Sequence, residues 1–358
     1  MPLTIDLGYD YVNARLRVMR SRLLTRADLE RLLAAPDIPA LMGALDQTPY
    51  REALKQAATT HAGALAVHRA LQLDHNATLQ RIAGFCGGET ARAFQLLTAA
   101  SIRHDVITLL RGVGAHIPPN ELLPLLIILP PFTEGVLNEL ARKTTVRGLI
   151  QLLDQWRLPT PELARALTDA LRQSADPRFL EQRFERAWAL AVQAQADTLP
   201  GEGGELLRRN LRRAIDLRNL LLALDFQSIA LEVPPDYLPG GDLNPDLLEA
   251  FRAAADPAAM SEALAREPAA AFWLPALTQW DGVSASDLQL AWEQTLLCWR
   301  MRLIFTADPL GPGVLIAYLA AKEAELRNLR LITEAVAQHL PREDAEASLL
   351  LCDAPPSS

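Results

Sequence analysis

Near the end of the chain, apolar residues recur on one helical stripe. Leu315, Leu319, Leu326, Leu329, Val336 and Leu340 fall three, four or seven apart, the spacing of one helix face. They predict a helix from about 313 to 340, with Pro341 as its stop. Upstream, Asp308-Pro309-Leu310-Gly311-Pro312-Gly313 is a turn through which a helix cannot propagate backward. Lys322 and Thr333 interrupt the stripe, and Glu323 precedes Arg327 by four, the favoured order for a helical ion pair. At ~1.5 Å per residue such a helix is roughly 40 Å long. Elsewhere Thr25 and Asp28 form an Asp variant of the capping box before a helix Arg26–Leu33 that ends at Pro36. Thr160 and Pro161 open another helix. The run Leu125–Leu129, flanked by Pro124 and Pro130, is the best strand-like segment, and it reads equally as a buried helical turn. The pattern is that of an all-α protein.

The late helix has earlier copies. Asp216-Leu217-Arg218-Asn219-Leu220 aligns with Glu325-Leu326-Arg327-Asn328-Leu329, and Asp105-Val106-Ile107-Thr108-Leu109 is a weaker match. The acidic positions are spaced by 111 and 109 residues. A second element, a helix end, a short turn and a new helix, recurs at 34–45, 142–153 and 253–264, spaced by 108 and 111 residues. Two unrelated elements on one period predict three homologous helical units of about 110 residues, each able to bury its own core. Turn-rich segments at Ile117–Leu122 and Val233–Asp242 set the expected boundaries. The expected domains are 1–117, 118–232 and 233–352, with residues 353–358 as a disordered tail.

Composition agrees with helices: half the residues are hydrophobic, only 6% are aromatic, and Leu and Ala dominate. A net charge of −8 argues against bulk nucleic-acid binding. The apolar run at 122–129 falls far short of the ~20 residues needed to span a bilayer. Met1–Asp6 lacks the basic flank of a signal peptide, so a soluble cytosolic protein is expected. Cys86, Cys298 and Cys352 are odd in number and scattered, and predict neither a metal site nor a disulfide framework.

Candidate chemistry is sparse. Arg15, Arg17, Arg20 and Arg22 form a basic cluster, either a solvated helix face or a docking surface for an acidic partner. His61, His68 and His75 share a face if 52–80 is one helix, but neighbours are two turns apart, about 10.5 Å, too far to share a metal ion. Leu199–Glu205 is Gly-rich and precedes a helix, but it lacks a GK[ST] ending and its Glu202 and Glu205 repel anions, so it reads as a loop. Arg208, Arg209, Arg212 and Arg213 follow it, with Glu205, Asp216 or another subunit as possible partners. There is no nucleophile elbow, no HExxH and no Cys–His pairing. A structural or coupling role is expected, with no cofactor and no catalytic or metal residues.

Tyr11–Arg17, Leu23-Leu24-Thr25, the 34–45 element, Asp46-Gln47-Thr48-Pro49-Tyr50, Pro309-Leu310-Gly311 and above all Ala317–Ile332 resemble the C subunit of the prokaryotic V/A-type ATPase. Its eukaryotic counterpart is the d subunit of the vacuolar ATPase. The resemblance runs over essentially the whole chain; Ile107 and Thr108 depart from the Arg-Asn of the other two copies. It implies three similar helical domains arranged as a funnel. Such a funnel is a non-catalytic socket between the central shaft and the membrane proteolipid ring, coupling ATP turnover to proton or sodium transport. It sits on the cytoplasmic face, peripheral to the membrane. Arg218 and Arg327, equivalent in the repeat, then line a common surface, or each pairs with a carboxylate of its own domain; with Arg15 and Arg17 they are the expected partner-interface residues. The rival reading is a generic helical adaptor.

Overall fold

The computed structural model describes residues 8–227, 235–306 and 310–352. Among these it contains eighteen α-helices, two short 3-10 turns and no β-strand, so the chain is all-α. They divide into two units, one of residues 1–12 and 36–199, the other of residues 13–35 and 200–358. The division therefore falls within α1 (Gly8–Arg20), after Ala35, and after Leu199.

The first unit holds α3 (Ile38–Leu45), α4 (Arg51–Ala58), α5 (Gly63–Phe85), α6 (Gly88–Gly114), α7 (Pro119–Leu122), α8 (Glu134–Ala141), α9 (Val146–Trp156), α10 (Pro161–Gln173) and α11 (Pro177–Asp197). Its interior is packed with Leu and Ala around Tyr50, Phe132 and Phe184, which are 0–1% exposed. Helices α6 and α11 are also tied by polar contacts. Trp188 Nε1 donates to the Ala99 carbonyl at 3.1 Å, and Arg103 pairs with Glu185 at 2.6 Å. Arg111 donates Nε and Nη2 to Glu181, a two-pronged contact that fixes orientation as well as distance. The strand-like run is not a strand. Leu123–Leu125 makes a 3-10 turn, and the extended residues after it end in a single bridge between Leu129 and Phe132.

The second unit holds α2 (Arg26–Leu33), α12 (Gly201–Gln227), α13 (Pro245–Arg252), α14 (Pro257–Ala265), α15 (Leu274–Gln279), α16 (Ala285–Thr306), α17 (Gly313–Ala337) and α18 (Arg342–Ala347). One core, centred on Phe251, Trp273 and Trp292, joins α12 to α16. Helix α17 packs along α16 and is buried almost all round, wider than the single stripe of the sequence pattern. The interrupting residues are satisfied inside it: Lys322 Nζ donates to Glu325 at 2.8 Å, and the Thr333 hydroxyl donates to the Leu329 carbonyl. The helix ends at Ala337, short of Leu340. His339 takes a left-handed φ of 54°, and the Leu340 N–H returns to the Ala335 carbonyl at 2.9 Å. This closure satisfies carbonyls of the last turn before Pro341 bars continuation.

The helix pairs share their local geometry. Thr25, Thr133 and Asn244 cap the first helix of each pair, and Asp37, Thr145 and Asp256 cap the second. Each cap accepts from the backbone N–H three residues on. Thr25 and Asp28 complete the expected capping box, and Thr160 and Pro161 open α10 as expected.

Other expectations change. Gly201–Glu205 is the opening of α12, not a loop, because the glycines add no side chain to bar helical winding. Residues 52–80 are two helices broken at 59–62; His61 lies outside both, and His75 is buried. Cys298 and Cys352 are joined as a disulfide with Cα atoms 5.2 Å apart, correcting the reading of three unpaired cysteines. Their 54-residue separation carried no sign that the chain end returns to α16. The first residues, the opening of the 308–313 turn, the start of the Val233–Asp242 segment and the tail lie outside the described residues.

One close approach is specific to glycine. A Cβ on Gly241 would stand 2.2 Å from Asp216 Oδ1, the oxygen that accepts the Leu243 N–H. Gly241→Ala should therefore destabilise the chain by about 1–3 kcal/mol. Urea unfolding followed by circular dichroism measures this, and Gly43→Ala, where a Cβ meets open space, is the control.

Candidate partner-binding surface

The repeated long helices carry one buried carboxylate each, at the aligned positions. Asp105 on α6, Asp216 on α12 and Glu325 on α17 are 0%, 1% and 6% exposed. Each accepts a backbone N–H from a distant segment. Asp105 Oδ1 takes Ile127 at 2.9 Å, Asp216 Oδ1 takes Leu243 at 3.0 Å, and Glu325 Oε2 takes Leu24 at 2.5 Å. Leu24 and Leu243 stand immediately before the caps Thr25 and Asn244, so the carboxylates set where α2 and α13 begin.

Three residues further along, two copies carry an asparagine. Asn219 donates to the Leu238 carbonyl and accepts the Leu238 N–H, at 2.9 and 2.8 Å. Asn328 does the same with Leu350, at 3.0 and 2.8 Å. A side-chain amide satisfies both backbone groups of one residue in this way and pins an extended segment to the helix. In the first copy Thr108 replaces the asparagine, and Gln72 and Asn76 of α5 hold Leu126 and Ile128 instead.

Burial raises the pKa of two of these carboxylates, Asp105 and Asp216. Asp105 is pushed up from 3.8 to about 8 by desolvation, which its one backbone hydrogen bond only partly opposes. Asp216 rises to about 7, first through burial, with the neighbouring charge of Asp242 adding. Glu325 differs in having the Lys322 ammonium beside it.

The expected interface arginines take different places. Arg15 and Arg17 are exposed on α1. Arg218 and Arg327 are half-buried, one position before the clamping asparagines. Arg327 Nη1 pairs with Glu293 on α16, not with Glu323, because burial turns this side of α17 toward α16. The aligned carboxylates and asparagines are what the sequence reading left without a role. Their signal was present: an acidic residue at the same place in all three copies, followed three residues on by Asn in two of them. No helix among the described residues is long and apolar enough to cross a membrane, and no group of three His, Cys, Asp or Glu among them could hold a metal ion.

A family model described as ATP synthase (C/AC39) subunit matches residues 12–348. The chain belongs to this family. Its relatives include a V-type ATP synthase C subunit from Deinococcus radiodurans, 26% identical over 94% of this chain and 89% of the relative. A protein of the same name from Thermus thermophilus is 26% identical over 96% of this chain and 98% of its own. An A-type ATP synthase C subunit from Methanosarcina acetivorans is 23% identical over 91% and 88%. The resemblance expected from Ala317–Ile332 is thus met across nearly the whole chain.

Asp105 makes a pH prediction. Its carboxyl binds a proton in the folded chain up to about 8 but only to about 3.8 when unfolded, so its contribution is complete below about 3.8 and is lost progressively as pH rises from there to about 8. Asp105→Asn keeps an acceptor for Ile127 and removes the titration. The fall in unfolding free energy between pH 5 and 8 should then flatten by up to ~1.4 kcal/mol per pH unit. Denaturant melts of both proteins across that range check it; unchanged slopes would exclude a protonated Asp105.

Proposed function

We propose that this chain is the non-catalytic socket of a V/A-type rotary ATPase, joining its central shaft to the proteolipid ring on the cytoplasmic face of the membrane. The observation that carries this reading is family membership over residues 12–348, together with relatives named as C subunits of V-type and A-type ATP synthases. The repeat supports it physically. Three similar domains of about 110 residues, near 1–117, 118–232 and 233–352, placed round an axis as a funnel make a hole suited to a coaxial shaft.

A socket that transmits torque must resist deformation. Long helices pinned by buried carboxylates and asparagines meet that demand, because local opening would expose unpaired backbone groups at a cost of about 1–3 kcal/mol each. Peripheral attachment is consistent with the lack of a membrane-crossing helix among the described residues. The chain makes no ATP chemistry of its own in this reading; it passes rotation between the head and the ring, coupled to protons or sodium ions. Arg15, Arg17 and Arg218 are the proposed shaft contacts. Arg327 reaches the shaft by exchanging Glu293 for a partner carboxylate.

Reconstituted vesicles test the role. Without this chain, ATP hydrolysis by the detached head should persist while ATP-driven ion pumping disappears. Undiminished pumping in its absence would leave a generic helical adaptor as the better description.

Charge reversal tests the surface. Arg218→Glu with Arg327→Glu should weaken shaft docking, and docking of the unaltered chain should weaken as salt is raised, since exposed ion pairs are screened. Pull-down of the shaft across a salt series, with circular dichroism to confirm folding, reads both effects. Equal docking by the variant would remove these two arginines from the interface.

A further inference from the structure

Helix α12 carries four arginines within six residues, and they are not equally compensated. Arg208 Nε donates to Glu205 Oε2 at 3.0 Å. Arg212 Nη2 donates to Glu205 Oε1 at 2.7 Å, and its Nε lies 3.0 Å from Asp242 Oδ1. Arg209 and Arg213 have no carboxylate within ion-pair distance among the described residues. Arg213 is held by rings instead: its guanidinium carbon is 3.8 Å from the Phe272 centroid and 4.3 Å from that of Trp299. Its Nη1 is buried with no hydrogen-bond partner among the described residues. Aromatic faces attract the cation but supply no acceptor for its N–H groups. Burial pushes the Arg213 pKa down, the charge of Arg209 one turn away pushes the same way, and the charges of Asp242 and Asp216 only partly oppose them.

These two cations face a cleft of about 460 Å³, closed opposite α12 by the 3-10 turn Pro268–Phe272 and Trp273. Asp216 and Asp242 also line it. Asp242 is engaged by Arg212, and Asp216 is engaged by Leu243. Three cations, Arg209, Arg212 and Arg213, thus share the cleft with two carboxylates, one of which, Asp216, burial raises to about 7, so the surplus there is positive on a chain whose net charge is −8. Two guanidinium forks call for a group with two negative charges and several acceptor oxygens. A phosphate carries about −1.5 to −2 near neutral pH and three strong acceptors. A single carboxylate would leave one cation unmatched. Guanidinium is the side chain that meets phosphate through two parallel hydrogen bonds, and ring stacking pre-organises one of the two here.

We propose that this cleft is a binding site for the phosphate group of a small soluble molecule, either free phosphate or a phosphomonoester, bridged between Arg209 and Arg213. The site is separate from the proposed shaft contacts and does not depend on the coupling role. A bound phosphate ties α12 to the Pro268–Trp273 turn and stabilises the folded chain by mass action.

The test uses the full-length purified chain at 150 mM salt. Inorganic phosphate, glycerol 3-phosphate and acetate are titrated separately, by calorimetry and by thermal melting. The expected result is saturable binding of one or both phosphates, a melting temperature that rises with their concentration, and no response to acetate. Arg209→Gln, a change at an exposed position, should weaken phosphate binding at least tenfold, and so should Arg213→Gln if it folds. Tighter binding of glycerol 3-phosphate identifies a phosphomonoester as the ligand; equal or tighter binding of inorganic phosphate identifies the free ion. No saturable phosphate binding, an equal response to acetate, or unchanged affinity in Arg209→Gln overturns the proposal. So does binding of an oligoglutamate peptide in place of both phosphates, which would make the cleft a carboxylate-binding surface.

Discussion

A buried carboxylate that accepts a backbone N–H is the contact on which the long helices of this protein depend. The demand arises where the chain leaves a helix, runs extended and enters the next short helix. The N–H groups there have no helical partner and are shut away from water, and an unpaired buried donor is expensive. Asp105, Asp216 and Glu325 answer for Ile127, Leu243 and Leu24. The answer has its own cost, since a buried carboxylate loses hydration. Two of the helices meet it by holding the proton to higher pH, and the third places Lys322 one turn away. One geometric task is thus solved by two kinds of electrostatics.

The same logic explains the asparagines. Asn219 and Asn328 each give one hydrogen bond and take one from a single backbone residue, which only a side chain with both donor and acceptor can do. Where the repeat has Thr108 there is no such amide, and α5 supplies Gln72 and Asn76 for the segment at 126–128. The departure of Ile107 and Thr108 from the other copies is therefore accompanied by a different source of support. Arginines divide in a comparable way. Arg103 and Arg111 join α6 to α11, and Arg327 joins α17 to α16, so these are spent on packing helices. Arg15 and Arg17 are exposed on α1.

In the proposed coupling role, such fixtures act through stiffness, since a part that relays rotation cannot store the applied work in its own deformation. Helix α17 is buried on every side from Gly313 to Ala320 and beyond that exposes only a stripe through Glu323, Arg330, Glu334 and Ala337, and its polar interruptions are closed within the helix itself. The Cys298–Cys352 disulfide and the Asn328 clamp hold the last described residues to α16 and α17.

Much of the local structure was determined by the sequence alone. Capping chemistry located Arg26–Leu33 and the start of α10, because a cap is decided by residues within one turn of each other. The period of about 110 residues and the Leu-Arg-Asn-Leu segment were legible for a similar reason: repetition needs no knowledge of what each copy touches. What the tertiary structure alone decided involves partners distant in sequence. That Lys322 lies inside the protein, that Arg327 pairs with Glu293, and that Cys298 meets Cys352 follow from how α16, α17 and the chain end come together. A helix pattern states which faces are apolar but not how many faces neighbours will cover, so a predicted stripe became a core helix. Glycines with no binding partner could not reveal whether Gly201–Glu205 would loop or wind, since their backbone permits both, and the rest of α12 carried the winding back to Gly201. Sequence separation carries no distance, and contacts between residues far apart in the chain are settled only when the helices pack.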